Sequence, residues 1–182
     1  MVGDILNIAV GECAPCGRST LTLASVGVAI LIVVAIGVGV YLGRTWPVAK
    51  GTEGGGRFPA AIGGLVCLVW LGVFATWTVV GGRAIRGWES FLRVGDLDLP
   101  NVFLVVASAA VFILHALGAL VQSRVLRAIA LAPAAYGTAH AGLFVFAVLQ
   151  QGTAVEIGPV GTLGGFVLLL SATGAILARK QR

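Results

Sequence analysis

Charge is what this sequence has least of. Only 10% of its 182 residues are Asp, Glu, Lys or Arg, where a soluble domain carries about 25%. Its long apolar runs contain no Asp or Glu at all. That absence removes the intramembrane carboxylates from which proton relays are usually built. It also leaves no carboxylate at a recognisable spacing from a serine and a histidine for nucleophilic catalysis. Histidine is nearly as scarce, at two residues, and cysteine stands at three. A Gly-x-Gly occurs in "GVGVYLG", but it lies inside an apolar run and opens no phosphate-binding turn after a strand.

Hydrocarbon takes the place of charge. The chain is 58% hydrophobic with a mean hydropathy of +1.03, so its natural solvent is lipid. The net charge of +5 does not indicate a nucleic-acid partner, because Lys and Arg stand at the ends of apolar runs and never cluster among aromatics. A cleavable signal peptide is not expected either. Asp4 and Glu12 precede the first run with only Arg18 basic, and the run exceeds a signal core in length.

Crossing the roughly 30 Å hydrocarbon core takes about 20 apolar residues of helix. Five runs qualify, at about residues 19–43, 59–81, 100–122, 128–150 and 157–178. The fold class expected is therefore an all-α integral membrane bundle of five transmembrane helices joined by short loops. Four is the fallback, because "GPVGTLGG" dilutes the fifth run. Residues 1–18 form an extracytoplasmic amino-terminal segment, and residues 19–182 the bundle.

Orientation follows from the basic residues of the short connections. Arg44, Lys50, Arg57, Arg124, Arg127, Arg179, Lys180 and Arg182 fall on one side, and Arg18, Arg83, Arg86 and Arg93 on the other. This predicts a cell-membrane protein with the amino terminus outside and the carboxyl terminus cytoplasmic. In the longest connection Ile85, Trp88, Phe91 and Leu92 recur at helical spacing opposite Arg86, Glu89 and Arg93, which predicts an amphipathic helix lying in the outer interface. Asp96 and Asp98 follow it without the further oxygen ligands a calcium loop needs, and no metal site is expected.

Helices associate in lipid through close approach of small residues. Ala35, Gly39 and Gly43 recur every four residues in the first run, and Gly161 and Gly165 do so in the fifth, so these are expected helix-packing positions.

His115 in "FILHALG" and His140 in "GTAHAGL" are the ionisable groups set deep in apolar runs, and such groups are functional candidates by default. Haem b with one histidine from each span as axial ligand would make an electron-transfer subunit. At 1.5 Å per residue, however, the two differ in depth by about 9 Å. Hydrogen bonds between helices are the leading alternative, and a proton or ion path is a third.

Cys13 and Cys16 in "ECAPC" have the spacing of thiol oxidoreductases, with a proline before the second cysteine that is similar to thioredoxin-like sites. No thioredoxin pattern of strands and helices surrounds them. The scaffold superficially resembles quinone-linked membrane thiol oxidases, which relay electrons between two cysteine pairs, but here Cys67 stands alone in the second run. A local disulfide leads, with a redox-active pair, a metal-binding pair and inert thiols still open.

The function expected is that of a structural or accessory subunit that packs against other membrane subunits in the lipid bilayer and supports their assembly or stability. The alternatives are a membrane thiol-disulfide redox protein using Cys13 and Cys16, perhaps with a quinone, and a haem b subunit using His115 and His140. No catalytic residue and no resident cofactor is assigned. The preference for Arg over Lys and the abundance of Ala, Gly and Val suit a prokaryote, and a virion membrane protein would share this character.

Overall fold

Helix stands at every one of the five apolar runs in the computed structural model, which describes residues 18–45, 57–80, 83–94, 97–150 and 155–178. The elements are α1 (Arg18–Thr45), α2 (Arg57–Phe74), β1 (Thr76–Val80), β2 (Arg83–Arg86), a 3-10 turn (Gly87–Glu89), β3 (Phe91–Val94), β4 (Leu97–Pro100), α3 (Val102–Leu120), α4 (Arg124–Ile129), α5 (Leu131–Gln150) and α6 (Ile157–Ala178). Among the described residues three helical stretches are long and apolar enough to cross a membrane: Val102–Leu120, Arg124–Leu149 and Ile157–Ala178. Shorter apolar stretches run over Val26–Leu42 in α1 and Ala61–Phe74 in α2.

Small residues decide how these helices meet. Lipid offers no hydrophobic drive between apolar helices, so association depends on backbones coming close. α6 is the shared partner, touching α1, α2, α4 and α5. Against α1, a Cβ on Gly39 would collide with the Ser171 backbone, and one on Gly174 would come within 3.1 Å of the Ile36 carbonyl. Ala35 is buried at the same crossing, where the Ser171 hydroxyl donates to its carbonyl at 2.9 Å. Gly43 lies in the same helix, and its contacts fall outside the described part.

Against α2, a Cβ on Gly165 would meet the Val69 side chain at 2.6 Å, and one on Gly72 would enter the space of Thr162. Gly161 sits opposite the Gly72 Cα, 3.9 Å from where its own Cβ would stand. Against α5, the Phe166 ring occupies the place a Gly137 side chain would take. The α2 pairings run antiparallel to α6; Val28 and Leu163 both approach Gly142 of α5, which with Gly39 against Ser171 runs α1 parallel to α6 and with Gly137 against Phe166 runs α5 antiparallel to it. α3 closes the bundle against α2 and α5, tied to α2 by the Trp70 indole donating to Ser108 Oγ at 2.9 Å.

The connection between α2 and α3 corrects two expectations. The second apolar run does not stay helical to residue 81, because α2 ends at Phe74 and the chain continues as β1. The amphipathic interfacial helix is replaced by two antiparallel hairpins, β1 with β2 and β3 with β4. The residues explain both changes. "TWTVV" is β-branched and aromatic, which suits a strand better than a helix. Two-residue "GG" and "GD" steps separate the paired runs in the sequence, a hairpin spacing that outweighs the few residues at helical intervals.

Trp77 joins the hairpins to the bundle. The β1–β2 register slips between Thr76 and Thr78, and such a bulge re-aims the extra side chain. Trp77 is wholly buried. Its indole donates to the Gly72 carbonyl at 2.8 Å and meets the Phe144 ring of α5 edge-on at 4.5 Å. Gly87 and Gly158 give it room, since a Cβ on either would overlap the indole.

Replacing Gly39 with valine should force the α1 and α6 backbones apart and cost about 1–3 kcal/mol, the usual size of overpacking. Gly37, whose added Cβ meets nothing within 4 Å, should accept Gly37→Val with little change. Thermal unfolding of the two variants in the same detergent compares them directly.

Candidate functional site: a buried polar chain

Asn101 sits between Pro100 and the first turn of α3 and is wholly buried. A buried amide without partners costs about 1–3 kcal/mol, and here both ends of its side chain are used. Its Oδ1 lies 2.6 Å from His140 Nε2, and its Nδ2 donates to Ser90 Oγ at 2.7 Å. The Ser90 hydroxyl donates onward to the Gly87 carbonyl at 2.8 Å, and the Asn101 backbone N–H donates to the Ser90 carbonyl at 3.1 Å. On the far side of the imidazole, Tyr136 OH is 3.1 Å from His140 Nδ1.

The direction of this chain is set by its members. An amide oxygen only accepts, so His140 must donate from Nε2. The neutral ring then accepts at Nδ1, and Tyr136 donates. Hydrogen bonds therefore run one way, from Tyr136 through His140, Asn101 and Ser90 to Gly87. Tyr136 and His140 are four residues apart and share a face of α5, with their rings edge-on at 5.7 Å. The chain ties α5, the head of α3 and the connection between the two hairpins.

His115 makes a separate pair. Its Nε2 is 2.9 Å from Thr173 Oγ1 on α6, and the Thr173 hydroxyl hydrogen is directed to the Leu169 carbonyl at 2.8 Å. The threonine oxygen therefore accepts, and His115 donates from Nε2. Both histidines are buried, and the structure does not bring them together. His140 bonds to Asn101, fourteen positions before His115 along the chain, which is about 21 Å of helix. In this arrangement each imidazole spends its Nε2 hydrogen on an acceptor of its own.

The remaining candidates lie apart from these pairs. Cys13 and Cys16 are outside the described residues, as is Asp96. Cys67 is on the exposed surface of α2 rather than packed inside. Among the described residues no three His, Cys, Asp or Glu side chains gather as a metal site.

Sequence reading missed Asn101, Ser90, Tyr136 and Trp77. Asn101 had a usable signal: an amide at the head of an apolar run requires a partner, and a histidine in another run was the natural one. Ser90 had none, because its place depends on the hairpins.

Comparison of the chain with protein families, curated proteins and solved structures finds no match.

Asn101→Ala should cost about 1–3 kcal/mol, since it strands the His140 N–H and removes the donor to Ser90 Oγ. A double-mutant cycle with His140→Ala should return a coupling of about 0.6–1.7 kcal/mol, the range for hydrogen bonds between membrane helices. Asn101→Ala and Thr173→Ala belong to separate pairs, so their costs should add within about 0.5 kcal/mol. Reversible unfolding in mixed micelles measures all of these.

Proposed function

We propose that the chain is a structural or accessory subunit of a membrane protein complex, crossing the bilayer five times with the amino terminus outside and the carboxyl terminus in the cytoplasm. One observation carries this reading. Both histidines set deep in apolar helices direct their Nε2 hydrogens to acceptors of the same chain, Asn101 Oδ1 and Thr173 Oγ1. These polar groups hold the helices to one another and to the hairpins, as expected of a bundle whose task is to keep its shape.

The exposed side of α1 supports a role beside other membrane subunits. Val26, Ile30, Val33, Val34, Val38 and Tyr41 are exposed there, while the opposite side carries the small residues that meet α6. In this reading the two hairpins form the outer end of the bundle. The helix ends bearing Arg44, Arg57, Arg124 and Arg127 then face the cytoplasm, in keeping with the excess of Lys and Arg on that side.

Two measurements test the proposal. Tagged protein isolated in nanodiscs should bring other membrane subunits in fixed ratio and show no Soret band. A lone protein carrying haem or quinone would overturn the accessory reading in favour of the histidines or of Cys13 and Cys16. For topology, in a chain whose own three cysteines are replaced by serine, a membrane-impermeant maleimide added to intact cells should label Arg86→Cys and spare Arg124→Cys. The reverse pattern would invert the orientation.

A further inference from the structure

α4 is only six residues long, yet it carries two arginines to the ends of two other helices. Arg127 donates from Nε and Nη2 to the Gly118 carbonyl at 3.2 and 3.0 Å, in the last turn of α3. Arg124 donates from Nη2 to the Leu177 carbonyl at 2.6 Å, in the last turn of α6. A guanidinium has five N–H donors, so each arginine keeps several hydrogens beyond those spent on the carbonyls. Positions 124 and 127 are helical neighbours, and each cation is held at the carboxyl end of a different helix.

The surroundings favour a negative partner that is also greasy. Exposed hydrocarbon adjoins the arginines along the chain, with Val125 68% exposed, Ile129 49% exposed and Leu120 at the end of α3 80% exposed. Fixed cations bordered by exposed hydrocarbon match a lipid whose phosphate is charged and whose chains continue along the protein. The same end of the bundle holds the exposed Arg44 at the close of α1. In sequence only Glu53 among the seven acidic residues belongs to this end, the other six preceding α1 or lying in the connections at the opposite end.

We propose that Arg124 and Arg127 form a headgroup site for an anionic phospholipid, with its acyl chains against Val125, Ile129 and Leu120. The site rests on the reading of the bundle as membrane-spanning. It does not depend on which subunits the protein accompanies. The arginines hold the headgroup phosphate through charge-assisted hydrogen bonds and at the same time cap the negative ends of α3 and α6. Bound lipid would thus be coupled to the packing of α4 against both helices.

The test is competition on the full-length protein. Delipidated protein in a neutral detergent is given equal amounts of dioleoyl phosphatidylglycerol and dioleoyl phosphatidylcholine, and the retained lipids are counted by native mass spectrometry. Phosphatidylglycerol should be retained about fivefold or more over phosphatidylcholine, the preference expected from one well-placed cation. Arg124→Gln should lose most of that preference, whereas Arg86→Gln on β2 at the opposite end should keep it. Arg127→Gln is the second variant should Arg124→Gln fail to fold, and a preference unchanged in the folded variant would overturn the site.

Equal retention of both lipids would overturn the headgroup site alone, and retention of neither would overturn the membrane-spanning reading with it. Inorganic phosphate provides the remaining arm. If it displaces phosphatidylglycerol at millimolar concentration, the site recognises free phosphate and the lipid assignment is wrong.

Discussion

A polar group enclosed among apolar helices has to find its partner within the protein, because the apolar side chains around it have none to offer. Asn101 meets that demand where three parts of the chain converge. Its oxygen takes the His140 hydrogen from α5, its nitrogen reaches Ser90 between the hairpins, and its own carbonyl accepts from Leu104 N–H as α3 begins. Moving the hairpins, rotating α5 or changing where α3 starts would strand at least one of these groups. Trp77 reinforces the junction from the apolar side, since its indole fits only where Gly87 and Gly158 have no side chains.

The rest of the bundle is organised by close approach around α6. Gly39 and Gly174 let α1 lie on it, Gly72 and Gly165 let α2 do so, and Gly137 admits the Phe166 ring from it. Each crossing brings backbones near enough for dispersion contacts and for hydrogen bonds such as Ser171 to Ala35. Because α6 serves several neighbours, a bulky substitution on it would disturb more than one crossing. The same helix supplies Thr173 to His115 and its last carbonyls to Arg124.

Much of this was legible from residue order, and some was not. The fifth run was placed at residues 157–178, where α6 stands, because its apolar stretch is bounded by Glu156 and by Arg179. The second apolar run continues past its helix, which ends at Phe74. Hydropathy alone does not separate a buried strand such as "TWTVV" from the end of a helix, and the β-branched residues were the better guide. In the hairpins four apolar residues at helical intervals imitate a helix, and the "GG" and "GD" steps between the paired runs are the stronger signal.

By itself the sequence determined the mostly helical character, the places of the apolar runs and the scarcity of charge within them, since these depend on composition and on the length of apolar stretches. It also marked His115 and His140 as groups in need of partners. Only the tertiary structure decided who those partners are. His140 and Asn101 are 39 positions apart, and His115 and Thr173 are 58 positions apart, and no local pattern couples residues at such distances. The same holds for the glycines: their spacing marks a face, but which helix lies on that face depends on the shapes of all the others.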